Sequence, residues 1–241
     1  MIKLLVLLAC FGAEKYITSL DHLRQSEWFI SWTRYLSRYT ANLPAWSGYL
    51  INGLPILFGV WFLLMLFGPW LFGGVGLVMQ AVLLFICLGP VNFFQADTTG
   101  KLTTEDYLSM VNRQWFAVMF WYATFGILAA LLYRLTDWMT QDNRTHAWAN
   151  EIQGYLDWIP VRLLGVCYLL VGNFDQAFSF LSSHLFSGPE KNQFLLIESG
   201  LRAIRLDASG KVTLAQAQQL VLHAFSLFLI VIAVLVLAVW L

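Results

Sequence analysis

Charge is what this sequence has least of. Its 241 residues include 14 basic and 14 acidic side chains, so only 12% are charged. A soluble domain carries about 25%, and a chain with half that supply cannot cover itself with a solvated surface. A basic excess is missing too, because the formal net charge is zero. That excludes the clustered positive surface of a nucleic-acid-binding protein. Cysteine is scarce and scattered: Cys10, Cys87 and Cys167 each lie inside an apolar run, with no CxxC spacing. An odd set of this kind excludes a disulfide framework and a cysteine-held zinc site. His22, His146, His184 and His223 share no metal-ligand spacing, so no metal site is expected from them.

What is present is apolar mass in long blocks. Hydrophobic residues make up 59% of the chain, and its mean hydropathy is +0.66. The fold class expected is therefore all-α: one polytopic integral membrane domain over 1–241, with about four to five transmembrane helices plus amphipathic and soluble ones. The segments that would cross are 49–67, 71–89, 115–133, 156–172 and 220–241. The first two are divided by FGPW at 67–70, a tight Gly-Pro turn. The glycines of GGVG, 73–76, suit helix packing inside an apolar span.

The opening residues, MIKLLVLLACFGAEK, place Cys10 too early for a signal-peptide cleavage box and are too short to span alone. A first helix that starts in the membrane and runs past Glu14 is expected. Residues 14–46 then mix aromatic and basic side chains at roughly helical spacing, as an interfacial amphipathic helix or a helical hairpin does. In LTTEDYL, Thr103 or Thr104 stands ready to cap a short helix. The polar region 173–219 carries helical patterning. With the five crossings above, segments 14–46, 90–114 and 173–219 share one side and hold ten of the fourteen Lys and Arg residues. The opposite side receives Arg134 and Arg144. That asymmetry places the ten on the cytoplasmic face.

The chemistry-bearing residues gather near the fourth segment, GYLDWIPVRLLGVCYLLVG. Two readings fit Asp157, Pro160 and Arg162. In one, Pro160 marks the structural start of the helix, Asp157 is its N-cap, and Arg162 snorkels to the headgroups. In the other, Asp157 and Arg162 line a polar ligand-binding pocket at the membrane face. Arg162 would take a phosphate or carboxylate on its guanidinium fork, joined by Arg134 and Asp137. Such a mixed cluster is also what a magnesium-phosphate ligand needs. Ser182, Ser183 and His184 are adjacent, but adjacency does not make a catalytic triad.

Three stretches carry a family resemblance. LDWIPVRLLGVCYLLVG resembles the signature of the AmpE family of bacterial inner-membrane proteins, NRQWFAVMFWYATFGILAALLYRL resembles its third hydrophobic block, and AEKYITSLDHLR resembles its N-terminal motif. The resemblance implies a multi-pass inner-membrane signalling or accessory protein, without catalytic residues or cofactor, that regulates β-lactamase induction and the response to β-lactam antibiotics. The partners it implies are the lipid bilayer and components of the cell-wall recycling pathway. The AmpE family in turn resembles the CobD/CbiB cobalamin-biosynthesis enzymes, whose IPAR-like motif is matched by Ile159-Pro160-Val161-Arg162. That second likeness implies an alternative, a membrane enzyme using Mg and ATP on a phosphorylated small molecule. The chain departs from those enzymes after its third segment, where Tyr133-Arg134 and Thr136-Asp137-Trp138-Met139 lack their asparagine and serine.

Overall fold

The computed structural model describes residues 2–14, 27–40, 44–68, 70–89, 102–142, 145–204 and 213–240. Among them every regular element is helical. The helices in chain order are α1 (Ile2–Glu14), α2 (Glu27–Thr40), α3 (Ala45–Phe67), α4 (Gly74–Cys87), α5 (Thr104–Val111), α6 (Ala117–Phe125), α7 (Ile127–Met139), α8 (His146–Val171), α9 (Phe174–His184), α10 (Asn192–Ala203) and α11 (Leu214–Trp240). A π-helical turn, Asn112–Phe116, joins α5 to α6.

Among the described residues three helices are long and apolar enough to cross a membrane: Trp46–Phe67, His146–Val171 and Leu214–Ala238. They correspond to three of the five expected crossings. The expected crossing at 71–89 becomes α4, whose 14 residues reach about 21 Å against a hydrocarbon core of about 30 Å. The one at 115–133 is interrupted at Gly126, which has φ +91° and ends α6 before α7 begins. A side chain other than glycine's rarely adopts that φ, so the apolar run folds as two short helices. The tip between α3 and α4 holds a second positive-φ glycine, Gly73. Gly76 sits so close to Gly68 that an added Cβ would lie 2.9 Å from the Gly68 carbonyl oxygen, which fits the packing role expected of GGVG.

The chain divides into two compact units. The first comprises Met1–Pro90 and Val118–Gln153, the second Val91–Ala117 and Gly154–Leu241, so the division falls inside α6 and α8. In the first unit α4 packs on α1 and α7, and α3 packs on α7 and α2. Most of α7 from Ala130 onward is buried. The described part of the expected amphipathic segment, α2, docks through Phe29, whose ring lies 5.5 Å from that of Trp138. Residues 15–26 and 41–43 of that segment lie outside the described residues.

In the second unit α10 packs against α9, α5 and α11. Thr103 caps α5 as expected, its hydroxyl accepting from the Asp106 N–H at 3.1 Å. Backbone contacts fix how α9 and α10 run. Asn173 N–H donates to the Ala203 carbonyl at 2.8 Å, so α10 ends where α9 begins. The polar region 173–219 is thus a folded helical layer through residue 204.

Candidate functional site

The four residues expected to bind a ligand fall into two separate arrangements, one in each unit. In the first unit, Arg134 and Asp137 sit one turn apart on α7 and form a salt bridge of 2.7 Å. Both are buried, and the Arg134 guanidinium also lies 5.3 Å from the centre of the Trp138 ring. Thr136, on the same turn, donates to the Leu132 carbonyl and accepts from the Tyr49 hydroxyl at 2.8 Å. This end of α7 is therefore a polar knot inside an apolar unit. A buried pair so bonded is expensive to break, which fixes the turn.

The second arrangement centres on Arg162. Asp157 and Arg162 are both buried on α8. The Nδ2 of Asn112, from the π-helical turn, donates to Asp157 at 3.1 Å. Arg162 spends its donors differently. Its Nε donates to the Leu185 carbonyl, one terminal nitrogen to the Ser187 carbonyl, and the other to Trp158 O at 2.7 Å and Asn192 Oδ1 at 3.0 Å. The guanidinium lies over the Trp158 ring at 4.0 Å, and the Trp158 indole N–H donates to the same Ser187 carbonyl at 3.1 Å. Asn192 closes the network by donating to Gly154 O at 2.7 Å. Arg162 is thus a clamp on the connection between α9 and α10. Its planar fork suits this task because several carbonyls can be met at fixed angles from one rigid group.

Pro160 requires a correction. It does not start a helix: α8 begins at His146, and Pro160 lies well inside it. Asp157 is correspondingly no N-cap. A mid-helix proline removes one backbone hydrogen bond and strains the preceding turn. Here Trp158 and Arg162 are tied to residues 185–192 on either side of it, and the helix continues. The expectation that Arg162 snorkels to headgroups is also corrected, since the side chain is 6% exposed and its donors turn inward.

Trp158, Asn192 and Asn112 are the residues that sequence reasoning did not single out. Trp158 had a signal, since it is one helical turn from Arg162. Asn192 and Asn112 had none, because each is placed by packing far away in sequence. Among the described residues no group of three His, Cys, Asp or Glu side chains could hold a metal ion. Ser183 and His184 do meet, Oγ to Nδ1 at 2.8 Å, yet both also bond the Phe180 carbonyl in a local helix-end cluster.

Two tyrosine hydroxyls add to the polar interior of the second unit. Tyr107 and Tyr168 are fully buried, and among the described residues neither hydroxyl has a hydrogen-bond partner. Burial pushes the Tyr107 hydroxyl above its ordinary pKa, so it stays neutral.

Residues 106–240, which run from α5 through α11 and include all four candidate residues, match the family model described as regulatory signalling modulator protein AmpE. Comparison with curated proteins and with solved structures gives no match.

Proposed function

The chain belongs to the AmpE family of regulatory signalling modulators, and from that premise we propose that it is a multi-pass protein of the bacterial inner membrane that regulates β-lactamase induction. The observation that carries the proposal is the match over 106–240, which takes in most of the second unit and its Arg162 network. In this reading the protein is not a catalyst. It reports on cell-wall recycling by presenting a surface whose shape the buried polar network fixes, and its partners are the bilayer and components of that pathway. Three long apolar helices support the membrane location.

The test is β-lactamase induction in a deletion strain of an inducible host, complemented with wild-type protein at matched membrane levels. Complementation should restore the wild-type response to a β-lactam. An induction curve that deletion leaves unchanged would overturn the proposal.

A second reading, a Mg- and ATP-dependent enzyme of the CobD/CbiB type, draws on the IPVR motif and on the buried Asp157. It needs a cation fork open to phosphate, whereas Arg162 directs bonds from all three of its nitrogens into its own unit. It therefore stands second. Calorimetry of purified protein with magnesium and ATP tests it, and absence of nucleotide binding would remove it.

A further inference from the structure

The most exposed large hydrophobic side chain among the described residues of the second unit is Phe186, at 86%. It sits in the connection between α9 and α10, a place where loops ordinarily carry polar residues. Residues 185–188 read Leu-Phe-Ser-Gly and contain no charge. Arg162 holds the carbonyls immediately before and after Phe186, those of Leu185 and Ser187, and Trp158 adds a second donor to the latter. The neighbouring carbonyls are occupied as well. That of His184 accepts from Ser187 N–H at 3.0 Å and Ser187 Oγ at 2.7 Å, and that of Gly188 accepts from Lys191 N–H at 3.1 Å. The carbonyls of Leu185, Ser187 and Gly188 in this stretch, and that of His184 at the end of α9, are thus satisfied by the protein itself.

A loop facing water has no need of this, because water supplies the donors. A loop facing hydrocarbon does, since an unsatisfied peptide group there costs several kcal/mol. The loop lies alongside α8 between Gly154, where Asn192 is bonded, and Arg162, and α8 is one of the three helices long and apolar enough to cross a membrane. On that stretch Tyr155 and Ile159 are largely exposed. They share the side of α8 that carries Trp158 and Arg162, because residues three and four apart are neighbours on a helix. The exposed apolar surface of α8 therefore continues onto the loop tip. The charged Glu190 and Lys191 follow directly and are exposed, as residues at a membrane boundary are.

We propose that residues 185–188 are seated in the lipid bilayer at the boundary between headgroups and acyl chains, with Phe186 as the inserted anchor, and that Arg162 is the positioning residue that holds the loop in the form lipid accepts. The arginine in the apolar run then acts on the backbone of another segment and binds no ligand from outside.

The experiment uses full-length protein in phosphatidylcholine–phosphatidylglycerol vesicles. Phe186→Cys, in a chain whose Cys10, Cys87 and Cys167 are alanine, is labelled with an environment-sensitive fluorophore. Ser179→Cys on the exposed polar side of α9 serves as the reference. The proposal expects the label at 186 to be quenched by lipid-borne nitroxide and spared by aqueous iodide, with the reverse at 179. Quenching at 186 by iodide alone would overturn it. Protection of 186 from both quenchers would also overturn it, assigning the tip to a second copy or a protein partner instead. Adding Arg162→Ala should move the label at 186 from the lipid pattern to the aqueous one, and Arg162→Lys should not restore it. A label that keeps its lipid pattern in Arg162→Ala would overturn the positioning role.

Discussion

Arg162 and Asn192, thirty residues apart in sequence, are joined by a hydrogen bond of 3.0 Å, and Asn192 passes the connection on to Gly154 at 2.7 Å. Through this pair the first turn of α10 is locked to the stretch of α8 between Gly154 and Arg162. The arginine also reaches the carbonyls of Leu185 and Ser187, so one side chain fixes both ends of the α9–α10 connection.

Removing that side chain should be severe. Arg162→Ala leaves several main-chain carbonyls without their donor, and each such loss to a charged group is worth about 1.5–3 kcal/mol. A destabilisation of about 3 kcal/mol or more is expected, read as a lowered melting temperature in detergent micelles. Arg162→Lys should recover little, because donors on one ammonium nitrogen cannot reach the spread of acceptors that the guanidinium meets from three nitrogens in a rigid fork. A lysine variant that melts like wild type would show that charge alone suffices.

The Arg134–Asp137 pair makes a different prediction. Asp137→Ala strands a buried guanidinium and should cost about 3–5 kcal/mol. The double variant Arg134→Ala with Asp137→Ala should be less damaging than the sum of the two single changes, since neither charge is then left alone. Strict additivity of the three melting shifts would argue against a coupled pair.

Tyr107 buries a hydroxyl that has no partner among the described residues. Tyr107→Phe should leave stability unchanged or raise it by about 1 kcal/mol, because it removes a desolvated polar atom and little volume. The pH dependence follows from the raised pKa. An unfolded tyrosine releases its proton near the ordinary value of about 10. The folded chain holds that proton more tightly, so this contribution is whole below pH ~10 and fades as pH rises toward the folded value. The Phe variant should lose less stability than wild type between pH 9 and pH 11, by comparison of their melting curves.

Gly126 should resist substitution for backbone reasons alone. Nothing lies within 4 Å of the position its Cβ would take, yet its φ is +91°. Gly126→Ala should cost about 1–3 kcal/mol through strain. Gly59→Ala, in the helical interior of α3 and equally open, should be neutral or stabilising by up to about 1 kcal/mol. Equal melting shifts for the two would contradict a conformational origin.

The sequence by itself determined the class of this protein. Little charge and long apolar blocks leave helices as the economical way to satisfy a backbone in a membrane, and the structure is helical throughout its described residues. It also carried the local signals: Thr103 as a cap, the division of the first apolar block near FGPW, and the AmpE resemblance, which the family match bears out over 106–240. Asp157, Pro160 and Arg162 were visible as residues out of place, because an apolar run makes each of them conspicuous. What they touch was not visible. Composition cannot tell a helix that starts at Pro160 from one that passes through it, since the deciding contacts come from residues 185–192. Nor could an apolar count tell one span from two short helices at 115–133, where a single glycine φ decides. Arg162 became a clamp only when α9 and α10 folded back along α8 and brought Leu185, Ser187 and Asn192 within hydrogen-bonding range. Such bonds join residues 23 to 30 positions apart, and tertiary packing alone determines which of them meet.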